Sequence, residues 1–138
     1  MSSLLFDSNA LVYWTYRDSP YHDEVSRLLR HVLKEKGSIY ALSSSLNEIY
    51  YALHNHYMNE KDARGSIREI AEVFDLVDLT GPIVFDALYS DEPDYEDGVI
   101  RAAAEALQVD AIISYDKKAF KKSDIPTLTA KEALALSG

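Results

Sequence analysis

The chain has 138 residues, of which 47% are hydrophobic and 27% charged, a composition typical of one globular domain. It contains no cysteine, which excludes disulfides and thiolate metal sites and suits the reducing cytoplasm, where we expect the protein to act. No signal peptide and no membrane-spanning segment of about 20 apolar residues is predicted. The net charge of −9 argues against a passive nucleic-acid binder, which holds phosphates through an excess of Lys and Arg. A nucleic-acid partner fits this charge only where carboxylates bind divalent cations that reverse the local sign.

The first half of the chain alternates between strand and helix patterns. In order, it predicts a buried strand at 3–6, an amphipathic helix at 20–36, a strand at 38–42 and a helix capped by the serines at 43–45. Gly37 is expected to end the first helix. The apolar stripe of that helix comprises Val25, Leu28, Leu29, Val32 and Leu33. The stripe of the next helix comprises Leu46, Ile49, Tyr50, Leu53 and Tyr57.

The second half continues the alternation. It first predicts a helix carrying Ile67, Ile70, Ala71 and Phe74, a strand at 74–79 and a short helix from Gly81-Pro82. A loop at 90–97 then leads into an Ala-rich helix, which a strand at 109–114 follows. The last elements are a strand and a helix within 125–136, and Thr129 is expected to cap that helix. Strands that alternate with helices indicate parallel pairing with helices on both faces. We therefore expect a single domain over residues 1–138, with a three-layer α/β/α fold and a mainly parallel sheet of about five strands.

Carboxylates stand where two of the predicted strands end. Asp7 directly follows the first strand, and Asp116 lies two residues beyond the strand at 109–114. Because open α/β sheets bind ligands beyond the carboxyl ends of their strands, both positions are candidates for a binding crevice. Two further acids accompany helices that can reach the same edge. Glu48 lies off the apolar stripe of its helix, and Asp97 opens the Ala-rich helix.

Each acid also has an ordinary structural explanation. Asp7 and Asp116 are typical of turn or helix-capping positions, and Glu48 of a solvated helix face. Asp97 is favourable at a helix N-terminus and can pair with Arg101 one turn later. Four converging carboxylates would repel one another unless cations intervened, and such hard oxygen ligands suit Mg²⁺ or Mn²⁺. Two such ions can activate a water and stabilise the leaving oxygen of a phosphodiester.

Four segments in order resemble the motifs of the PIN domain, a fold of metal-dependent ribonucleases that includes the toxins of VapBC-type toxin–antitoxin pairs. They are LLFDSNAL, SSSLNEIYYAL, DYEDGVIRAAAEAL and AIISYDKKAF, at residues 4–11, 43–53, 94–107 and 111–120. The resemblance covers nearly the whole chain. It departs from the common pattern at Ser8, where Thr is usual, and at Gly98, where Ala is usual.

The resemblance assigns roles to residues of these motifs. The metal-binding, catalytic acids that it implies are Asp7, Glu48, Asp97 and Asp116, with Asp94 as a secondary ligand. Asn9 is implied to position Asp7 by a hydrogen bond. Ser114 is implied to position Asp116 in the same way. The implied reaction is hydrolysis of RNA by metal-activated water with Mg²⁺ or Mn²⁺, leaving a 3′-hydroxyl and a 5′-phosphate; the implied partners are RNA, a second copy in a homodimer and an antitoxin protein.

A nuclease of this acidity needs local positive charge to hold the RNA backbone. Four lysines follow Asp116 closely and are the RNA-binding candidates, namely Lys117, Lys118, Lys121 and Lys122, with Arg17 as a further candidate after the first motif. The alternative role of the lysines is to solubilise an exposed surface.

Two other functions remain open at this point. A haloacid-dehalogenase-type phosphohydrolase also begins with an acid at a strand end, but it requires Asp-x-Asp, whereas this chain has Asp7-Ser8-Asn9. A non-catalytic interaction domain would keep the PIN fold without activity, and the complete set of acids argues against it.

Overall fold

A computed structural model describes residues 1–137, and its core is a sheet of five strands in the order β3-β2-β1-β4-β5. The strands are β1 (Ser3–Phe6), β2 (Ser38–Leu42), β3 (Asp75–Val77), β4 (Ala111–Ile113) and β5 (Thr127–Leu128). All four pairings between neighbouring strands are parallel. The expected parallel sheet is therefore confirmed, and the strand predicted at 74–79 is shorter than expected.

Within the described residues, seven helices connect and flank these strands. They are α1 (Ser8–Thr15), α2 (His22–Lys34), α3 (Ser45–His56), α4 (Glu60–Val73), α5 (Gly81–Tyr89), α6 (Tyr95–Leu107) and α7 (Ala130–Ser137). Helix α1 begins directly after β1 and has no counterpart among the predicted elements. The other six follow the predicted pattern, and Thr129 caps α7 as expected by accepting a hydrogen bond from the Glu132 N–H. The predicted serine cap of α3 is wrong, because the side chain of Ser44, at the N-cap position, forms no capping hydrogen bond.

The sheet separates two hydrophobic cores, which makes the fold a three-layer α/β/α sandwich. On one face, side chains such as Phe6 and Ile113 pack with residues of α1, α2, α3, α4 and α7. On the other face, Leu5 and Ile112 pack with α5, α6 and the buried Phe120. Side chains of a strand alternate between faces, so neighbouring residues of β1 belong to different cores. The predicted fold class is confirmed.

Four apolar residues lie elsewhere than the helical stripes predict. Tyr57 follows the last residue of α3 and is 47% exposed. Leu33 is 46% exposed, so the stripe of α2 ends at Val32. Ala71 is exposed on α4. Phe74 follows the last residue of α4 and is buried there, with its ring edge-on to that of Phe6. The core is therefore narrower along α2 and α4 than the spacing of apolar residues suggests.

The junction between α2 and β2 also differs from the prediction. Helix α2 ends at Lys34, and Lys36 rather than Gly37 has a positive φ, of 61°. Gly37 is needed because a Cβ atom there would collide with the Ser2 carbonyl oxygen and lie 2.7 Å from Val32 Cγ1. This glycine lets the start of β2 approach the N-terminal strand closely.

The order of the strands creates a switch point beside β1. The chain places β2 and β3 on one side of β1 and later adds β4 and β5 on the other. Ligands of such sheets bind in the crevice beyond the carboxyl ends of the strands at this point. No helix within residues 1–137 is long and apolar enough to cross a membrane.

Candidate metal centre

Asp7 lies at the end of β1, and it both caps α1 and forms part of a buried site. Its side chain is 7% exposed, and its Oδ1 accepts a hydrogen bond of 2.8 Å from the Ser8 N–H at the start of α1. Its own N–H donates to the Ile113 carbonyl at 2.9 Å, which continues the β1–β4 ladder beyond the strand. The capping role and the site role that the sequence left as alternatives therefore coexist in one residue.

Ser114 joins the two strand ends of the switch point. Its Oγ donates to Asp7 Oδ2 at 2.8 Å and accepts from the Asp116 N–H at 3.1 Å. Asn9 completes the network, because its Oδ1 accepts from the Tyr115 N–H at 3.0 Å while its amide lies 3.3 Å from Ser114 Oγ. The roles differ from those expected. Ser114 contacts the Asp7 carboxylate and the Asp116 backbone N–H, whereas Asn9 mainly holds the backbone between them, and its amide lies 3.5 Å from Asp7 Oδ2.

Three of the four candidate acids line one cavity of about 370 Å³ at this edge of the sheet. Asp7 comes from the end of β1, Glu48 from the first turn of α3 and Asp97 from the first turn of α6. Asp116 is not part of this lining, although its charge acts on both Asp7 and Asp97. The tertiary structure therefore brings together side chains that lie far apart in the sequence.

The pKa values of these acids are raised, which shows that their charges are poorly compensated. Desolvation, followed by the charges of Asp7, Asp94 and Asp116, raises the pKa of Asp97 to about 7. Burial is the largest cause of the raised pKa of Asp7, although hydrogen bonds from Ser114 and Ser8 oppose it. The pKa of Glu48 is raised by partial desolvation and then by nearby acids. Such mutual repulsion is typical of a site that binds a cation.

Glu96 is a further acid of this cavity that the sequence did not single out. It lines the cavity beside Asp97, and its charge helps to raise the pKa of Glu48. The sequence feature that could have identified Glu96 is its position next to Asp97 in the first turn of α6, since both residues start a helix that faces the sheet edge.

Asp94 and Arg101 have structural partners near the same helix. Asp94 caps α6, because its Oδ2 accepts from the Asp97 N–H at 3.0 Å. Arg101 does not pair with Asp97 as the alternative explanation required. Its guanidinium instead contacts Asp91, Glu92 and Glu105. Asp97 is thereby left without a cationic partner from its own helix.

The candidate basic residues fall into different places. Lys117 and Lys121 line a separate cavity that also includes Asp116, whereas Lys118 and Lys122 are exposed outside that lining. Arg17 follows the far end of α1 from Asp7, roughly 12 Å of helix away, and lies 3.9 Å from Glu69. The structure therefore places two lysines beside Asp116 and leaves Arg17 apart from it.

The cavity lined by Asp7, Glu48 and Asp97, hereafter the acid cavity, has oxygen donors that fit a divalent cation. They are carboxylate oxygens with raised pKa values, and a hard cation such as Mg²⁺ or Mn²⁺ relieves that repulsion. Within residues 1–137, no three His, Asp or Glu side chains converge into a ready-made metal cage. The site is thus open, which suits an ion that keeps several of its waters.

An acidic crevice at the switch point of a parallel sheet defines an α/β protein whose site lies at the carboxyl edge of its strands. The chain belongs to the PIN domain family, whose model matches residues 3–118. This match confirms the resemblance of the motifs and removes support from the haloacid-dehalogenase alternative. No curated protein matches the chain in sequence.

Solved structures share the fold at low sequence identity. The toxin VapC20 of Mycobacterium tuberculosis, described as cleaving the sarcin–ricin loop, has a TM-score of 0.66 and 13% identity, over 82% of this chain and 89% of that chain. VapBC2 of Rickettsia felis, bound to a DNA fragment from its promoter, has a TM-score of 0.68 and 16% identity, over 91% and 96%. FitAcB of Neisseria gonorrhoeae has a TM-score of 0.66 and 17% identity, over 93% and 98%. At these identities the similarity shows the fold.

Proposed function

We propose that this protein is a Mg²⁺- or Mn²⁺-dependent ribonuclease that hydrolyses phosphodiester bonds in RNA. The observation that carries the proposal is the cavity of about 370 Å³ lined by Asp7, Glu48 and Asp97. These acids come from three elements and repel one another, an arrangement that costs stability unless a cation binds. The proposal takes residues 1–138 as one nuclease domain that acts in the cytoplasm.

In this function, residues of the chain bind the cation and hold its ligands in place. Asp7, Glu48, Asp97 and Asp116 would hold the cation, with Asp94 as a secondary ligand. A bound divalent cation supplies activation of a water and stabilisation of the leaving oxygen. Ser114 keeps Asp7 and the Asp116 backbone in a fixed relation through its two hydrogen bonds. Asn9 holds the Tyr115 backbone between them.

The proposed biological role is that of the toxin in a VapBC-type pair. Support comes from the structural neighbours, among which VapBC2 and a toxin–antitoxin complex from Klebsiella pneumoniae contain partner proteins. We accordingly propose an antitoxin protein and a second copy of this chain as partners. Gel filtration tests for the second copy, and co-expression with any small reading frame found beside this gene tests for the antitoxin.

An RNA cleavage assay with Mg²⁺ or Mn²⁺ tests the activity. We expect Asp7→Asn and Asp97→Asn each to lower kcat/KM by at least about 100-fold, because each removes a ligand charge. Asp62→Asn is the matched control: Asp62 is exposed in the first turn of α4, outside the cavity, and its loss leaves cleavage unchanged. Undiminished cleavage in both site variants would overturn the proposal.

A non-catalytic PIN-fold interaction domain is the second candidate. The observation in its favour is that, within residues 1–137, no three metal-ligating side chains already converge. Titration calorimetry with Mn²⁺ separates the two candidates. Heat of binding that disappears in Asp97→Asn supports the nuclease, whereas no heat at millimolar Mn²⁺ supports the interaction domain.

A further inference from the structure

A second cavity, of about 280 Å³, lies beside the acid cavity and is lined by the segment after β4 together with β5. Its polar lining comprises Ser114, Asp116, Lys117, Lys121, Ser123 and Thr127. The hydrogen bond from Ser114 Oγ to Asp7 Oδ2 joins the walls of the two cavities, since Asp7 lines the first. A ligand in the second cavity would therefore be a direct neighbour of one in the first.

The two cavities have opposite electrostatic character. The charged residues of the acid cavity are all carboxylates, namely Asp7, Glu48, Glu96 and Asp97. The second cavity has one carboxylate, Asp116, and two cations, Lys117 and Lys121. Lys117 Nζ also contacts Glu132 at 3.3 Å, so Lys121 is the less engaged of the two. In a chain with a net charge of −9, a cavity with an excess of lysine favours an anionic ligand.

A buried hydroxyl of the same cavity lacks a partner. Among the residues that the structure describes, Thr127 Oγ1 is the buried side-chain polar atom without a hydrogen bond. Such atoms are rare in folded proteins because an unpaired buried hydroxyl costs stability. Thr127 lines the cavity, so a rotation of its side chain would bring this hydroxyl to an acceptor oxygen of a ligand there.

Hydrogen bonds from outside the second cavity fix the backbone that carries its two lysines. The Phe120 N–H donates to Glu92 at 3.0 Å, and the side chain of Glu92 is only 2% exposed. Phe120 itself is buried with a positive φ of 65°. Arg101 donates to the Lys122 carbonyl at 3.3 Å, so the backbone is fixed on both sides of Lys121.

We propose that this second cavity is a phosphate subsite. It binds the RNA backbone phosphate next to the one that is hydrolysed, and Lys121, Lys117 and Thr127 contact that phosphate. The inference rests on the proposed function for its RNA, whereas the affinity of the cavity for phosphate can be measured without it. Among the four lysines after Asp116, it selects the two that line the cavity.

The first experiment titrates the full-length protein with inorganic phosphate in the absence of divalent cations, followed by ¹⁵N–¹H NMR. We expect the amide signals of residues 117–127 to shift on binding. Lys121→Gln should weaken binding about tenfold, because it removes a charge-assisted hydrogen bond. Lys131→Gln is the matched control, since it makes the same charge change on exposed α7, outside the cavity, and should leave the affinity unchanged. Equal effects of the two substitutions, or no shifts at 117–127, would overturn the subsite.

Thr127→Val gives a second test that a merely structural role would not pass. Valine keeps the shape of threonine but removes the unpaired hydroxyl, so the thermal stability should stay equal or rise. Phosphate binding should nevertheless weaken about fivefold, because the neutral hydrogen bond is lost. Unchanged phosphate affinity in this variant would remove Thr127 from the subsite.

RNA cleavage by the same variants separates this inference from the proposed nuclease activity. We expect Lys121→Gln to raise KM about tenfold with kcat nearly unchanged. Phosphate binding at 117–127 without any RNA cleavage would leave the subsite standing and refute the nuclease. Cleavage that is indifferent to Lys121→Gln, with no phosphate binding, would refute the subsite and leave the nuclease.

Discussion

Ser114 forms hydrogen bonds to both strand ends at the switch point. It is 2% exposed, and its single hydroxyl donates to Asp7 while accepting from the Asp116 N–H. The donated bond lowers the pKa of Asp7 against the larger effect of burial. The ionised form of a buried acid is thus stabilised by one neighbouring side chain.

Ser114→Ala should destabilise the protein at pH 8 in EDTA. Removal of the hydroxyl takes away the donor that lies 2.8 Å from Asp7 Oδ2 and leaves the Ser8 N–H on Oδ1, which lowers the free energy of unfolding by about 1–3 kcal/mol. Urea denaturation measures the change. Ser114→Thr retains the hydroxyl and serves as the control, and equal stability of the alanine variant and the wild type would contradict the role of Ser114.

The raised pKa of Asp97 should make the stability of the metal-free protein depend on pH. The pKa is 3.8 for an unperturbed Asp and about 7 in the folded protein, so folding favours the protonated acid. The stability that protonated Asp97 adds to the folded protein is fully present below pH 3.8 and is lost as the pH rises through about 7. Thermal unfolding in EDTA should therefore show Tm falling between pH 5.5 and pH 8.

The matched variant for this pH dependence is Asp97→Asn. It should make the profile less steep without abolishing it, because the raised pKa values of Asp7 and Glu48 act in the same direction. It should also be more stable than the wild type at pH 8 by about 1–2 kcal/mol, once solvent screening of a partly exposed group is allowed for. The acids with lowered pKa values, such as Asp91 and Glu132, remain ionised throughout this range and do not contribute. A parallel profile in wild type and variant would show that Asp97 is not the titrating group.

At the scale of elements, local signals account for most of the helices and strands. β2 has the predicted bounds of 38–42 because alternating β-prone residues lie between Gly37 and a run of serines. α5 begins at Gly81 because Thr80 caps it and Pro82 suits a first turn. Helix α1 was missed because its eight residues follow β1 directly, although Asp7, which caps it, was a local signal for its start.

Two glycines of the connecting elements should respond oppositely to alanine. Gly65 lies inside α4, and a Cβ atom there would meet nothing within 4 Å, so Gly65→Ala should stabilise the protein by about 0.5–1 kcal/mol. Gly37→Ala places its Cβ against the Ser2 carbonyl and Val32, and should destabilise by about 1–3 kcal/mol. Chemical denaturation of both variants checks the pair. A stabilised Gly37→Ala would mean that β1 and β2 can separate at no cost.

At the scale of the whole molecule, the order of the strands assembles the site. The register pairs Phe6 with Ile113, so the residues that follow them, Asp7 and Ser114, are neighbours across 107 residues of sequence. α3 and α6 then bring Glu48 and Asp97 to the same edge. The result is a cavity whose charged side chains are all negative.

Mn²⁺ should therefore stabilise the whole protein by binding only to the folded state. At a free concentration 100 times its Kd, an ion adds about 2.7 kcal/mol, which raises Tm by roughly 10 °C for a chain of this size. Asp7→Asn and Asp97→Asn should lose most of that rise, measured by calorimetry at pH 8. Asp62→Asn should retain it. An equal rise in all variants would locate the bound ions outside the acid cavity.

The sequence by itself determined the alternation of strands and helices, because hydrophobic periodicity, caps and breakers act locally. It also determined the order of the acidic motifs, and with it the family.

Only the tertiary structure decided which side chains meet. Contacts such as that of Ser114 with Asp7, the presence of Glu96 in the acid cavity and the pairing of Arg101 away from Asp97 depend on register and on how α3 and α6 pack on the sheet. The same is true of the lysines, since only two of four line the second cavity. Local sequence contains no signal for these choices, because they arise from contacts between residues that are distant in the chain.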